Sequence, residues 1–220
     1  MLSLRQIKNN PQILEFIKQS DSSTQALGYT EHGFRHGNNV SKEAQRIAKE
    51  MGFKEVEQEL AGIAGFCHDM GNFLGRSRHH YWGALLFHQV FTNDFSNEEI
   101  SLIMQAIANH DKDTMKLTNN ISALVVLADK SDVHRKRVSS KSLKEIKSDK
   151  HNRVNYAATR SDLKVDKKKK QISLLLKIDT NFVPIIEYFE IFTDRMAYCR
   201  KAADYLGYKF NLVINTFKLL

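Results

Sequence analysis

The hydrophobic period changes once along the chain, near residue 150, and that change limits the architectures open to it. Before it, apolar residues recur at helical spacing: Val40, Ala44, Ile47, Ala48 and Met51 mark one face, Leu60, Ile63, Ala64 and Cys67 a second, and Ile121, Leu124, Val125 and Ala128 a further one. Ser96 and Glu99 in "SNEEI" form a capping-box pattern that opens a helix carrying Ile100, Ile103, Met104 and Ile107. After it the period is two. Leu163 and Val165 alternate with polar neighbours, "KKKK" at 167–170 turns the chain, and Ile172, Leu174, Leu176 and Ile178 alternate back as a hairpin. A helix opened near Pro184 and closed at Gly207 follows, with Ile185, Phe189, Phe192, Met196, Cys199, Ala203 and Leu206 as a stripe able to cover a small sheet. Phe210, Leu212 and Ile214 supply another strand. The expected fold is mainly α: a helical bundle over residues 1–150, then a small α+β unit of hairpin, long helix and strand over 151–220. The basic, serine-containing stretch 138–150 reads as the connection, itself partly helical or not.

Composition bounds the function classes. With 42% hydrophobic and 26% charged residues in 220, the chain is expected to be a globular protein with a sizeable core. Cys67 and Cys199 each sit in an apolar helical pattern and read as buried free thiols, which goes with a cytoplasmic location. The opening "MLSLRQIKNNPQILEF" is too polar for a signal peptide, and no apolar run approaches the roughly 18 residues of a membrane span, so no membrane partner is expected. The formal charge of +8 suits an anionic ligand. Nucleic acid is the disfavoured choice among such ligands, because no aromatic residues interleave the basic runs at 134–153 and 167–170 to form a stacking platform.

Polar residues gather where the stripes end. Seven of the nine histidines, His32, His36, His68, His79, His80, His88 and His110, lie between residues 32 and 110. His36 precedes the Val40 stripe, the His68-Asp69 pair ends the run "AGIAGFCHDMGN", His79 and His80 open "HHYWGALLF", and His110 and Asp129 each follow their stripes by one turn. Two polar groups are expensive to bury without partners. Packed helices could bring these ends to one point, and imidazole with carboxylate is a ligand set for a divalent transition metal.

The ordered set, His36 in "RHGNNV", His68 and Asp69 in "FCHDMGN" and Asp129 in "VLADKSD", resembles the signature of the HD-domain superfamily of metal-dependent phosphohydrolases. His79 in "HHYWGA", four residues before Gly83-Ala84, and His110 in "AIANHDKD" are similar to the extra histidines of one subset of that family. The resemblance covers roughly residues 25–135, and the tail is similar to a group of prokaryotic HD proteins described only as predicted hydrolases. "NHDKDTMKLTNN" stands where the cyclic-di-GMP phosphodiesterase branch carries its GYP motif, and "NHDKD" differs from the "HTTG" type of the diadenosine-tetraphosphate hydrolases. The Glu-Asp pair of the guanosine-tetraphosphate hydrolase branch is missing as well.

The resemblance implies an HD-domain helical bundle followed by the α+β unit, with His36, His68, Asp69 and Asp129 holding a first ion. His79 and His110 then complete a second metal site bridged by Asp69 or face the phosphate; His80 is the rival of His79. One or two ions of iron, manganese, zinc, nickel or cobalt are expected. Activated water would attack the phosphate ester of a nucleotide or related small molecule, with Asp69 in the catalytic set and Lys130, Arg135 and Arg35 as candidates to neutralise phosphate oxygens. His32 and Asp132 are candidates to support a ligand, or simply a surface residue and a helix cap. The alternatives are a nucleotide-sensing module without turnover and a di-iron oxygenase on the same fold. Tyr188, Ile191 and Tyr198 lie off the stripe of their helix and suit contact with a second subunit, so a homodimer is expected.

Overall fold

The computed structural model describes residues 1–111, 116–139 and 142–219, and over these the chain is mainly α with a four-stranded sheet near its end. Ser140 and Lys141 of the expected connection, and Lys112 and Asp113 of "NHDKD", lie outside the described residues. The helices in chain order are α1 (Leu4–Ile7), α2 (Pro11–Ala26), α3 (Phe34–Met51), α4 (Glu55–Cys67), α5 (His79–Phe91), α6 (Asn97–Asn109) and α7 (Asn120–Ser131). The connection carries a short 3-10 turn at Arg135–Arg137, then α8 (Leu143–Ser148) and α9 (Lys150–Ala157). Strands β1 (Ala158–Asp166) and β2 (Gln171–Ile178) form the antiparallel hairpin. Helix α10 (Ile185–Tyr205) then crosses to β3 (Lys209–Ile214), which pairs parallel with β2, and β4 (Phe217–Lys218) closes the order β1-β2-β3-β4. A parallel pair needs a crossover, and α10 is that crossover.

Helix α7 is the axis of the bundle. Every residue from Ile121 to Ser131 is buried, because α3, α4 and α6 pack around it on one side and α10 covers another. A helix apolar around its whole circumference belongs in a core, and the stripe of Ile121, Leu124, Val125 and Ala128 is only part of its buried surface. Asp129 and Lys130, near its end, are therefore carried inside as well. One cluster of buried apolar residues includes Leu4 and Ile7 of α1, Ile63 of α4, Leu124 of α7, Phe192 of α10 and Leu212 of β3.

Close backbone approaches fix the helices that lead to the histidines. Gly65 of α4 sits against the backbone of Ser41 in α3, where a Cβ would lie 3.2 Å from its Cα. Beyond α4 the chain turns through His68, Asp69 and a 3-10 turn at Asn72–Leu74. That turn is clamped by Ser20 of α2, whose hydroxyl donates to Met70 O (2.8 Å) and accepts from Phe73 N (3.2 Å). Gly83 of α5 faces it from the other side, with a hypothetical Cβ 3.4 Å from His68 O. The small-residue pair Gly83-Ala84 thus meets the loop that carries the His-Asp pair.

Gly71 is the tightest of these contacts: a Cβ there would stand 2.2 Å from His79 O and 2.5 Å from Gly83 N, both backbone atoms of α5. Gly71→Ala must push α5 away from the loop. It is expected to lower the unfolding free energy by about 2 kcal/mol or more, on the scale of overpacked cores, read as the shift of the urea midpoint. A wild-type midpoint would show that the loop yields freely.

Candidate metal centre

Four imidazoles and two carboxylates meet where five helices begin or end. His36 lies in the first turn of α3, His68 caps the end of α4, His79 is the first residue of α5, His110 caps the end of α6, and Asp129 is in the last turn of α7. All four histidines are buried, as are Asp69 and Asp129.

The donor atoms form two groups that share Asp69. His36 Nε2 stands 3.2 Å from His68 Nε2, 3.3 Å from Asp129 Oδ1 and 3.6 Å from Asp69 Oδ2, and His68 Nε2 stands 3.2 Å from the same Asp69 oxygen. On the other side, His79 Nε2 lies 3.1 Å from His110 Nε2 and 3.2 Å from Asp69 Oδ1, with His110 Nε2 3.5 Å from that oxygen. Asp69 turns one oxygen to each group. Asn72 holds it there, donating to Asp69 Oδ1 (3.0 Å) and to its backbone oxygen (2.8 Å).

The outward nitrogens decide what the inward ones can do. Nδ1 of His36 donates to Asp132 Oδ2 (2.6 Å), that of His68 to Gly65 O (2.8 Å), that of His79 to Arg76 O (2.9 Å) and that of His110 to Ile107 O (2.6 Å). These acceptors have no proton to give, so in the neutral ring the proton sits on Nδ1 and the Nε2 lone pair faces the centre. Four converging lone pairs repel one another unless an electrophile sits among them. A divalent ion with ligand distances of about 2.0–2.1 Å and right-angle neighbours sets its donors about 3 Å apart, the spacing found between the Nε2 atoms. The donor set fits such an ion.

Electrostatics agree. Burial opposes charge on Asp69, but His68, His110 and His79 outweigh it and hold the carboxyl well below its ordinary pKa. Asp129 is likewise held low against its burial, chiefly by Lys130 and His36. Burial disfavours a proton on His68, yet Asp69 and Asp129 raise its pKa, which marks a place where positive charge is favoured. Burial pushes His110 down to about 4, so at neutral pH it offers a lone pair.

A cleft of about 260 Å³ opens over the cluster, with Arg76, Asp111, Lys130, Arg137, Arg195 and Tyr198 among its walls. The expected basic residues are distributed unevenly. Lys130 reaches the cleft, but its ammonium lies 2.7 Å from Asp111 Oδ1 and 2.9 Å from Asp129 Oδ2. Arg135 does not line the cleft; its guanidinium stacks 5.0 Å from the Tyr156 ring centre. Arg35 is held by Glu31 (2.8 Å) and Asp132 (3.0 Å). His79 rather than His80 faces Asp69, while the His80 ring packs 4.3 Å from that of Tyr81. His32 lines the cleft, its ring edge-on to His36 at 5.8 Å. Tyr188 is fully buried beside Met196 and so is not placed for the contact with a second subunit expected of it, and Tyr198 is half-buried and lines the cleft.

Arg76, Asp111, Arg137 and Arg195 enter the site without having been singled out in the sequence. Asp111 forms a second His-Asp pair with His110, a signal present in "NHDKD". Arg195 is three residues after Phe192 and four before Cys199, a charged residue on the buried side of its helix. Asp132 proves to be the residue that orients His36. Removing such a partner from a metal-binding histidine lowers metal affinity about 10–100-fold; Asp132→Ala is expected to show that loss in competition with a chromophoric chelator, and an unchanged affinity would remove Asp132 from the site.

No curated protein matches the chain, and no described helix is long and apolar enough to cross a membrane. The family model of the HD domain matches residues 33–136, the stretch from the start of α3 to the turn after α7 that carries all four histidines and both carboxylates of the cluster. Over that segment, a little under half of its length, the chain is similar to the HD domain, a family most of whose members are metal-dependent hydrolases.

Proposed function

We propose that the protein is a phosphohydrolase that uses one or two divalent transition-metal ions to cleave a phosphate ester of a nucleotide or related small molecule. The observation that carries this reading is the convergence of four Nε2 atoms and two ionised carboxylates beneath a cleft walled by arginines. His36, His68, Asp69 and Asp129 would hold a first ion, and His79, His110 and Asp69 a second. Iron, manganese, zinc, nickel and cobalt all suit such donors. The arginine wall favours an anionic substrate such as a phosphate.

A divalent ion in this set supplies a Lewis acid that acidifies water and polarises a phosphoryl oxygen. Water adds to phosphorus in line, the bond to the ester oxygen breaks, and the proton from water ends on the leaving alcohol. Asp69 is central because it faces both donor groups and is ionised at neutral pH. Lys130, engaged by Asp111 and Asp129, is a positioning residue that holds Asp129 and neutralises the carboxylates around it. Residues 1–150 carry the ligands; the unit from 151 to 220 adds Arg195 to the cleft wall.

Protein purified without a histidine tag is expected to contain two metal ions per chain by plasma mass spectrometry, and His79→Ala one. Hydrolysis of bis-p-nitrophenyl phosphate, p-nitrophenyl phosphate and a panel of nucleotides should stop on chelation, and Asp69→Ala should lower kcat/KM by roughly 100-fold or more, the scale of losing a main electrostatic element. Turnover that persists in chelator, or a metal-loaded chain that hydrolyses none of these esters, would sink the reading.

A further inference from the structure

Two arginines in the cleft, Arg137 and Arg195, stand at 3.6 Å or more from their nearest carboxylates. Arg137 is 1% exposed, and among the described residues its guanidinium donates to neutral acceptors, Asp132 O (2.9 Å) and Glu31 O (3.2 Å). Asp132 Oδ2 stands 4.0 Å from its Nε, but that oxygen is already engaged by His36 and Arg35. Arg195 reaches in from α10, donates from Nη2 to Asp129 O (2.8 Å), and stands 3.6 Å from Asp129 Oδ1, the oxygen that faces His36. Nε of each arginine has no hydrogen-bond partner among the described residues.

Lys130 and Arg76 in the same cleft are engaged as well. Lys130 sits between two carboxylates, and Arg76 lies 2.9 Å from Asn72 Oδ1 and 3.5 Å from Asp111. Asp194 lines the cleft too, but from an exposed position. Arg137 shares its nearest carboxylate with His36 and Arg35, and a buried guanidinium so loosely paired is costly. Burial lowers the pKa of Arg137, Asp132 opposes that, and the like charge of Arg195 adds to it, which places the two arginines within each other's field. Both line the cleft that also exposes Asp69 and His110.

We propose that Arg137 and Arg195 form an anion subsite beside the metal ligands that takes a second phosphate of the substrate, joined to the one being hydrolysed. The inference rests on the phosphohydrolase reading, in which the scissile phosphate meets the ions that Asp69 and the histidines would hold. A guanidinium fork matches two phosphate oxygens, and the gain is largest where the site is shielded from water. The substrate class is then a diphosphate, such as a nucleoside diphosphate or a longer phosphate chain, in preference to a monophosphate. The subsite also makes the cleft a joint product of the HD segment and α10, because one of its two arginines lies outside residues 33–136.

The test is isothermal titration of the full chain, loaded with manganese, with orthophosphate and with the non-hydrolysable methylenediphosphonate, metal retention being measured on the filtered protein. Wild type is expected to bind the diphosphonate about tenfold more tightly or better, a difference of about 1.4 kcal/mol. In Arg195→Gln that preference should collapse, with metal content and orthophosphate binding kept, and Arg195→Lys should restore part of it. Equal affinities in the wild type, or a preference that survives in both Arg195→Gln and folded Arg137→Gln, would overturn the subsite while metal-dependent phosphate binding left the hydrolase reading standing. Loss of metal from Arg195→Gln would make Arg195 a support for Asp129 and also overturn it. If neither anion bound to metal-loaded protein, both readings would fall.

Discussion

The carboxylate of Asp69 is the group on which the centre of this molecule depends. It lies buried between two pairs of imidazoles, one oxygen toward His36 and His68 and the other toward His79 and His110. A carboxylate so far from water would ordinarily take up a proton, but the histidines keep it ionised and Asn72 fixes the direction of its oxygens. Each histidine is fixed in turn through its other nitrogen: three by carbonyls within their own or the adjoining turn, and His36 by Asp132 from beyond the end of α7. The cost of burying six polar groups is offset by a hydrogen-bond shell that orients them toward a point where a cation could be held.

Such a centre needs helix ends held to within a fraction of an ångström, and the backbone contacts supply this. Gly65 lets α4 lie against α3, and Gly71 and Gly83 let the loop after α4 touch the start of α5. The same contacts set the separation of His36 from His68 and of Asp69 from His79. Packing and site geometry are therefore one constraint: a methyl group at Gly71 would act on the core and on the ligands together.

Much of this was legible because periodicity reports burial and the ligands lie at the ends of periodic runs. The stripes at Val40, Leu60, Ile103 and Leu124 located four helices, and the polar residues that interrupted or ended them were those brought together. The change of period near 150 located the hairpin, the crossover helix and the third strand. Helices α1, α2, α8 and α9 were not read: α1, α8 and α9 are brief, and the 16 residues of α2 bury only Ile13, Ile17, Ser20 and Thr24, a pattern too weak to separate helix from loop. Arg135 illustrates a different limit. In a 3-10 turn with three residues per turn, positions 135 and 137 point to different sides, and a run of four basic-rich residues does not reveal which of them faces inward; Arg137 does, and Arg135 lies on Tyr156. Arg195 was hidden because a site residue on a distant helix becomes visible only when that helix is docked.

The docking of α10 explains why the C-terminal unit and the HD segment are joined. Helix α7 is apolar on the side away from α3, α4 and α6, so it must be covered, and α10 covers it with one face while resting the other on the sheet. That contact ends beside Asp129, where α7 places a metal-ligand candidate and its partner Lys130. A helix that covers α7 along this line brings a side chain to Asp129, and the residue there is Arg195, bonded to the backbone oxygen of Asp129 itself. The hydrophobic need of the central helix and the electrostatic completion of the cleft are thus satisfied by one element. In the absence of α10, α7 would present apolar surface to water at the same place where the cleft would lose an arginine, so the stability of the bundle and the shape of its anion-binding wall are coupled through a single interface.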